Sequence, residues 1–318
     1  MDLIYMDKNG IEKGVLRNYS LDLDCGDTND FQIAVGIYNN VLKHTDMFYI
    51  ENTEYGGIID SVKSDTRNSK IYYSGRTWRG ILSKKIIRPL PGDDYYIVSG
   101  EANEIIAELI DYVDLNNLFV VPGTTDIIIN TYRFNRYTDV LSGLTAMLKT
   151  ADARLKIRYK NGYIELGAEP VIDYSDEIEF SQDNKINFIA EDNRGGVNHL
   201  ICLGSGEMSA RQVVDLYVDE NGNIGSTQYY FGIDEIVDIF DYPNAESLQE
   251  LKYYGVRRLQ ELLNSQRVEV NIEDMELELG DVIAGREKIT GLYVSRPITQ
   301  KIVRINNGIT KIEYKVGD

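Results

Sequence analysis

Short runs of alternating apolar and polar residues, each closed by a turn signal, fill the first ninety positions and predict a meander of β-strands. Asp7-Lys8-Asn9-Gly10 reads as a hairpin turn, because Asn-Gly accepts the positive φ that a two-residue turn needs. Phe48-Tyr49-Ile50 leads into Tyr55-Gly56-Gly57-Ile58-Ile59, and Lys70-Ile71-Tyr72-Tyr73-Ser74-Gly75 follows the polar turn Asp65-Thr66-Arg67-Asn68. Tyrosine and β-branched residues dominate these runs, as suits half-buried pleated surfaces. Pro89-Leu90-Pro91-Gly92-Asp93 interrupts regular structure and sets a boundary at residue 93.

The period then changes. Ile105, Ile106, Leu109, Ile110 and Val113 recur at helical spacing and predict a helix over 102–113. A β run at Asp126–Ile129 precedes a second helix over 139–151, with Val140, Leu141, Leu144, Met147 and Leu148 on one face and Thr138 as its expected N-cap. Lys156–Tyr159 and Tyr163–Leu166 form a hairpin around Asn161-Gly162. Beyond it, strands are expected at 185–190, 198–203 and 213–218, with a turn at Glu220-Asn221-Gly222-Asn223. The longest helical pattern covers 244–264, capped by Asn244, with Glu246 and Glu250 at the positive end of its dipole. Strands follow at 267–272, 282–283, 291–294 and 301–314, the last around Asn307-Gly308.

The fold class is therefore α+β, dominated by β. Three domains are expected: residues 1–93, 94–175 and 176–318, the third carrying an inserted segment at about 206–268 with the long helix. A length of 318 residues and 43% hydrophobic content are enough for more than one core.

Charge narrows the functional classes. Fifty-one acidic residues against 33 basic ones leave a net charge of −18, which argues against tight nucleic-acid binding, since phosphate neutralisation requires basic surface. No run of about 18 apolar residues is present, so no membrane insertion is expected. The acidic start, Met1-Asp2-Leu3-Ile4-Tyr5-Met6-Asp7, is unlike a secretory signal, and synthesis in a reducing cytoplasm is expected. Cys25 and Cys202 read as buried thiols rather than a disulfide framework or a zinc site.

A catalytic constellation does not emerge. His199 and Cys202 stand three apart on an expected strand and so point to opposite faces, which argues against a Cys–His pair. His44 reads as a polar residue at a strand end. Asp219–Gly225 lacks the glycine offset and the twelfth-position glutamate of a calcium loop. Gly204-Ser205-Gly206 lacks the lysine of a phosphate loop and reads as a sharp turn. Asp22 and Asp24 share a strand face, as acid–base carboxylates do, but so acidic a chain produces such pairs by chance. The one basic cluster is Arg76, Arg79, Lys84, Lys85 and Arg88 around the single tryptophan, Trp78. It reads either as an anion or partner contact with an aromatic anchor or as a solvated face over a buried Trp78. No cofactor or metal is expected.

Three patterns, in order, carry a resemblance. They are Gly75-Arg76-Thr77-Trp78-Arg79-Gly80-Ile81-Leu82 running to Pro89, Val197–Glu207 followed by Arg211 and Leu216-Tyr217-Val218-Asp219, and Leu277-Glu278-Leu279-Gly280-Asp281-Val282-Ile283 closing with 302–316. Together they make the chain similar to the hub family of bacteriophage tails and phage-derived tail-like particles, including siphophage tail-associated proteins and contractile-tail baseplate hubs. The resemblance implies two tube-type β-barrel domains per chain, with smaller α+β modules inserted. It implies a homotrimeric ring at the tail tip that joins the tube to the tip or spike. The implied neighbours are further copies of itself, the tail tube or distal tail protein, the tape-measure protein, and spike or other baseplate proteins. No shared catalytic residue is implied, and the location is the virion or a tail-like particle. Acidic side chains facing a lumen would repel passing DNA. The alternatives are a carboxylate-dependent cell-wall or glycan hydrolase, which requires two convergent carboxylates in a cleft, and a receptor-binding tail module, which requires an exposed aromatic groove.

Overall fold

The computed structural model describes residues 1–175, 179–180, 187–191, 196–243, 245, 247–263, 267–271, 277–286, 293–306 and 308–317. They divide into two compact units: Met1–Ile189 with Glu269–Val316, and a second consisting mostly of Ala190–Val268.

In the first unit, β1 (Leu3–Met6), β2 (Glu12–Leu16), β3 (Tyr19–Cys25), β4 (Asp30–Gly36), β5 (Met47–Tyr49), β6 (Gly56–Asp65) and β7 (Lys70–Thr77) realise the expected meander. Helix α1 (Trp78–Leu82) follows directly, then β8 (Ile97–Glu101), α2 (Ala102–Tyr112), β9 (Phe119–Val120), β10 (Ile128–Arg133), α3 (Val140–Lys149), β11 (Ala153–Lys160) and β12 (Tyr163–Pro170). Further on come β13 (Glu179–Phe180) and β14 (Asn187–Glu191). The second unit holds β15 (His199–Leu203), β16 (Val213–Val218), β17 (Ile224–Gly225), β18 (Val237–Asp241) and α4 (Leu248–Leu263). The chain closes with β19 (Arg267–Asn271), β20 (Val282–Arg286), β21 (Tyr293–Asn306) and β22 (Ile309–Val316).

The main sheet is ordered β14-β19-β22-β21-β3-β4-β7-β6-β5-β1-β2, with β20 joined to β21 and β13 to β20. The C-terminal strands join the N-terminal meander through the antiparallel ladder between β21 and β3, which sets Val303 opposite Leu23 and Ile305 opposite Leu21. The pattern of two explains that register. Leu21, Leu23 and Cys25 are buried on β3, as are Phe31, Ile33 and Val35 on β4, while Asp22 and Arg304 face out. A slip of one residue would invert every one of these side chains. The described residues thus show a β-dominated α+β fold whose strand path is open at β2 and β14.

Helices α2 and α3, the two-stranded sheet β10-β8 and the sheet β11-β12-β9 share one core with the N-terminal strands: Trp78 and Leu82 join Leu109, Leu144, Met147 and Ile157. Each fully buried aliphatic side chain contributes about 1.5–3 kcal/mol here. Two expectations need correcting, and a third falls outside the described residues. Asp139, not Thr138, caps α3, its carboxylate accepting from the Ser142 amide at 2.9 Å. Thr138 is turned aside because its own carbonyl accepts from Ile87 at 2.8 Å. The strand expected at 126–129 instead occupies Ile128–Arg133, where Ile129 is the buried position. The expected cap Asn244, with Glu246, lies outside the described residues; Ser247 Oγ accepts from the Glu250 amide at the start of α4.

The Asn-Gly turns behave as expected: Gly10 and Gly162 adopt φ of 77° and 87°. In the second unit, α4 covers one face of the sheet β17-β16-β15-β18 through Leu251 and Leu259 against Leu200, Cys202 and Leu216. The expected turn at 220–223 is a hairpin tightened by Asp219, whose side chain accepts from the amides of Asn221 and Asn223 at 2.9 and 2.8 Å.

Candidate functional site

The strand-to-helix junction at Gly75–Leu82 is built on Thr77. Its hydroxyl donates to the Asn29 carbonyl at 2.8 Å and accepts from the Gly80 amide at 3.2 Å, which caps α1. Asn29 sits at a left-handed φ of 54° and accepts from the Gly26 amide at 2.8 Å, while its own amide donates to Asp24 at 3.1 Å. Asp24 is therefore a turn cap, and Asp22 lies 3.6 Å from the Arg304 guanidinium. Neither is held as a free acid–base pair.

The basic cluster separates into an interior part and a surface part. Trp78 is completely buried, with Gly56 lying so close to its indole that a Cβ there would approach Nε1 to 2.5 Å. It is a core residue, in line with the reading of a solvated face over a buried Trp78 and against the reading of Trp78 as an aromatic anchor for a partner. Arg79 is buried as well. Arg76 is half-buried and binds Asp60 through two 2.8 Å hydrogen bonds from Nε and Nη2. Lys84 and Arg88 are exposed and Lys85 is half-buried.

Arg79 opens onto a buried ionic cluster. Its Nε donates to Glu54 Oε2 at 2.8 Å, and its Nη2 donates to the Leu155 carbonyl at 3.2 Å. The other oxygen of Glu54 lies 3.1 Å from Lys301 Nζ, at an angle poor for a hydrogen bond, and Lys301 also donates to Glu278 at 2.8 Å. The rings of Tyr55 and Tyr314 lie within cation–π range of the same ammonium. Burial alone would push Glu54 up, but Arg79 and then Lys301 outweigh it and hold its carboxyl at about 2. Burial would lower Lys301, but Glu54 leads the charges that raise it well above the ordinary lysine value.

A neighbouring pair completes the arrangement. Arg154 Nε lies 2.9 Å from Asp281 Oδ1, and Asp281 accepts from the amides of Ile172 at 3.0 Å and Glu278 at 3.1 Å. Burial pushes the Asp281 carboxyl up, against those amides and Arg154. Gly280, at φ 95°, lets this turn pass against Arg154. The cluster thus draws on α1, the β5–β6 turn, β11, the turn before β20, and β21. Removing one member of such a buried pair typically costs about 3–5 kcal/mol, whereas the intact pair adds little over an apolar replacement. It ties together segments that are far apart in sequence.

Glu54, Lys301 and Arg154 lie in none of the sequence patterns, and Asp281 lies in the third without an expected role. Lys301 does carry a signal, since it precedes Val303 and Ile305 at the buried phase of β21. Glu54 has none, because it stands in the polar turn Glu51-Asn52-Thr53.

In the second unit His199 is buried between two carboxylates: Nδ1 lies 2.7 Å from Glu235 and Nε2 lies 2.9 Å from Asp215. Tyr217 stacks on the ring with centroids 4.3 Å apart. Cys202 faces the opposite side of the sheet, in the core with α4. Burial pushes the Cys202 thiol up to about 11 and raises Cys25 as well, opposing formation of a thiolate nucleophile. Among the described residues no three His, Cys, Asp or Glu side chains are placed to hold a metal, and no helix is long and apolar enough to cross a membrane.

No protein-family model matches the chain, and no curated protein matches it in sequence. Solved structures do match in fold. The tail protein from Neisseria meningitidis MC58 is 13% identical with a TM-score of 0.54, the match covering 100% of this chain and 96% of that one. Prophage tail protein gp18 from Listeria monocytogenes EGD-e is 11% identical with a TM-score of 0.54, covering 100% and 94%. The 43 kDa tail protein of prophage MuSo2 from Shewanella oneidensis is 10% identical with a TM-score of 0.58, covering 99% and 97%. The chain has the fold of these phage tail proteins, as the three sequence patterns implied.

Proposed function

We propose that this chain is a structural component of a phage tail or phage-tail-like particle, the hub at its distal end. Three copies form a ring joining the tail tube to the tip or spike, and the strands on the two sides of the β21–β3 ladder supply two tube-type barrels per chain. The observation that carries this reading is the end-to-end match in both directions: three tail proteins are covered at 94–97% of their length by 99–100% of this chain.

The buried ionic cluster fits such a role, because a ring component must hold its segments in one arrangement while its neighbours load it. Lys84, Lys85 and Arg88, on the surface beside the buried Trp78 and Arg79, are the proposed contact with an adjoining tail protein. The net charge of −18 would then serve the channel, since carboxylates facing a lumen repel DNA.

The test is the mass of the purified chain by native mass spectrometry or light scattering. The expected result is a species of three times the 36.2 kDa chain, strengthened by adding the tube protein of the same particle. A monomer that stays monomeric with that neighbour present would overturn the hub reading.

A further inference from the structure

The sheet of the second unit has two faces, and only one is covered. Leu200, Cys202 and Leu216 lie under α4. The pairing of β15 with β16 and β18 sets Ile201 beside Asp215 and Ile239, and Leu203 beside Val213 and Asp241, on the opposite face. There Val213 is 49% exposed, Val237 46% and Ile239 61%. The exposed Phe231 and Ile233 precede one end of β18, and the exposed Met208 lies in the β15–β16 connection. A contiguous apolar strip rimmed by polar groups marks an interaction surface rather than ordinary scattered exposure.

We infer that this face is a docking site for an amphipathic helix of another protein, with a leucine-rich stripe flanked by lysine or arginine. Two observations select that occupant. The rim is acidic: Asp215 and Asp241 are 44% and 59% exposed and Asp234 is exposed, while the basic groups on this face among the described residues are already engaged, Arg211 by Asp241 and His199 by Asp215 and Glu235. A second copy of a chain with net charge −18 would bring more negative charge to that rim, whereas a basic flank complements it. The second observation concerns the edge. Strand β18 ends the sheet, but the Ile239 amide is taken by the Asp238 carboxylate at 2.8 Å. An added strand would have to displace that bond. A helix laid on the face needs no backbone pairing and supplies the layer that the sheet lacks on this side.

The inference is independent of the tail reading and is tested on the purified full chain. The probes are two fluorescent synthetic helices of about 18 residues, with the same leucine stripe and either lysine or glutamate elsewhere, titrated by anisotropy. The lysine helix is expected to bind and the glutamate helix is not. Ile239→Asp is expected to weaken binding about tenfold or more, and Ile239→Ser less, while Ile309→Asp, at a 66% exposed position of β22, leaves it within twofold. Non-specific attraction of a cationic peptide would instead be unchanged or tightened by the added carboxylate. Binding that survives Ile239→Asp, equal binding of the glutamate helix, absence of binding, or self-association that Ile239→Asp abolishes would each overturn the inference.

Discussion

Replacing Glu54 by glutamine keeps the shape of the side chain and removes the charge at the centre of the buried cluster. Arg79 and Lys301, whose side chains are 7% and 3% exposed, are then left facing a neutral amide. Arg79 keeps its bond to the Leu155 carbonyl but no carboxylate at position 54, and Lys301 keeps Glu278. Breaking a buried pair costs about 3–5 kcal/mol, and the retained Glu278 contact places the expected loss near 3 kcal/mol. For a unit of this size that corresponds to a melting point lowered by roughly 6–12 °C. The assay is tryptophan fluorescence during thermal or urea unfolding, because the single Trp78 is buried beside Arg79 and reports this unit alone. Acid supplies a second readout. The Glu54 carboxyl is held at about 2 against an ordinary 4.5, so its contribution is complete above pH 4.5 and lost as pH falls through 2. The stability gap between the wild type and Glu54→Gln is therefore expected to close over that window. A loss below about 1 kcal/mol at neutral pH, or a gap that does not change between pH 5 and 2, would refute the reasoning.

Two further outcomes follow from the same structure. Gly26 holds φ at +114°, and a Cβ there would stand 2.0 Å from the Thr299 carbonyl; Gly26→Ala is expected to cost about 2–4 kcal/mol in urea unfolding followed by Trp78 fluorescence, and an unchanged midpoint would contradict the close approach of β3 to β21. Both cysteines are buried with raised thiols, so an aromatic disulfide reagent at pH 8 is expected to leave the native chain unmodified for minutes and to titrate two thiols in denaturant; rapid native labelling would contradict their placement.

Legibility from sequence followed the range of the interactions. Helices α2 and α3 were visible because Ile105, Ile106 and Leu109, and Leu144, Met147 and Leu148, repeat within a few turns. The Asn-Gly hairpins were visible because the turn chemistry is local. The cap of α3 was misplaced by one residue because Thr138 and Asp139 are both good caps, and the choice is made by the distant backbone of Ile87. The ladder joining β21 to β3 was illegible, since nothing near Lys301 says that Cys25 will lie opposite. The ionic cluster was illegible for the same reason: Glu54 looks like any turn glutamate until Arg79 and Lys301 arrive from other strands. Trp78 stood out correctly as unusual, but local sequence does not distinguish a tryptophan under Gly56 from one offered to a partner.

The most direct test of the hub reading is imaging of purified tails or tail-like particles labelled with gold-tagged antibody to this chain. Label confined to the distal end of the tail, on a density with threefold symmetry, is the predicted result. Label along the whole tube, at the opposite end, or absent from intact particles that contain their other tail proteins would contradict it.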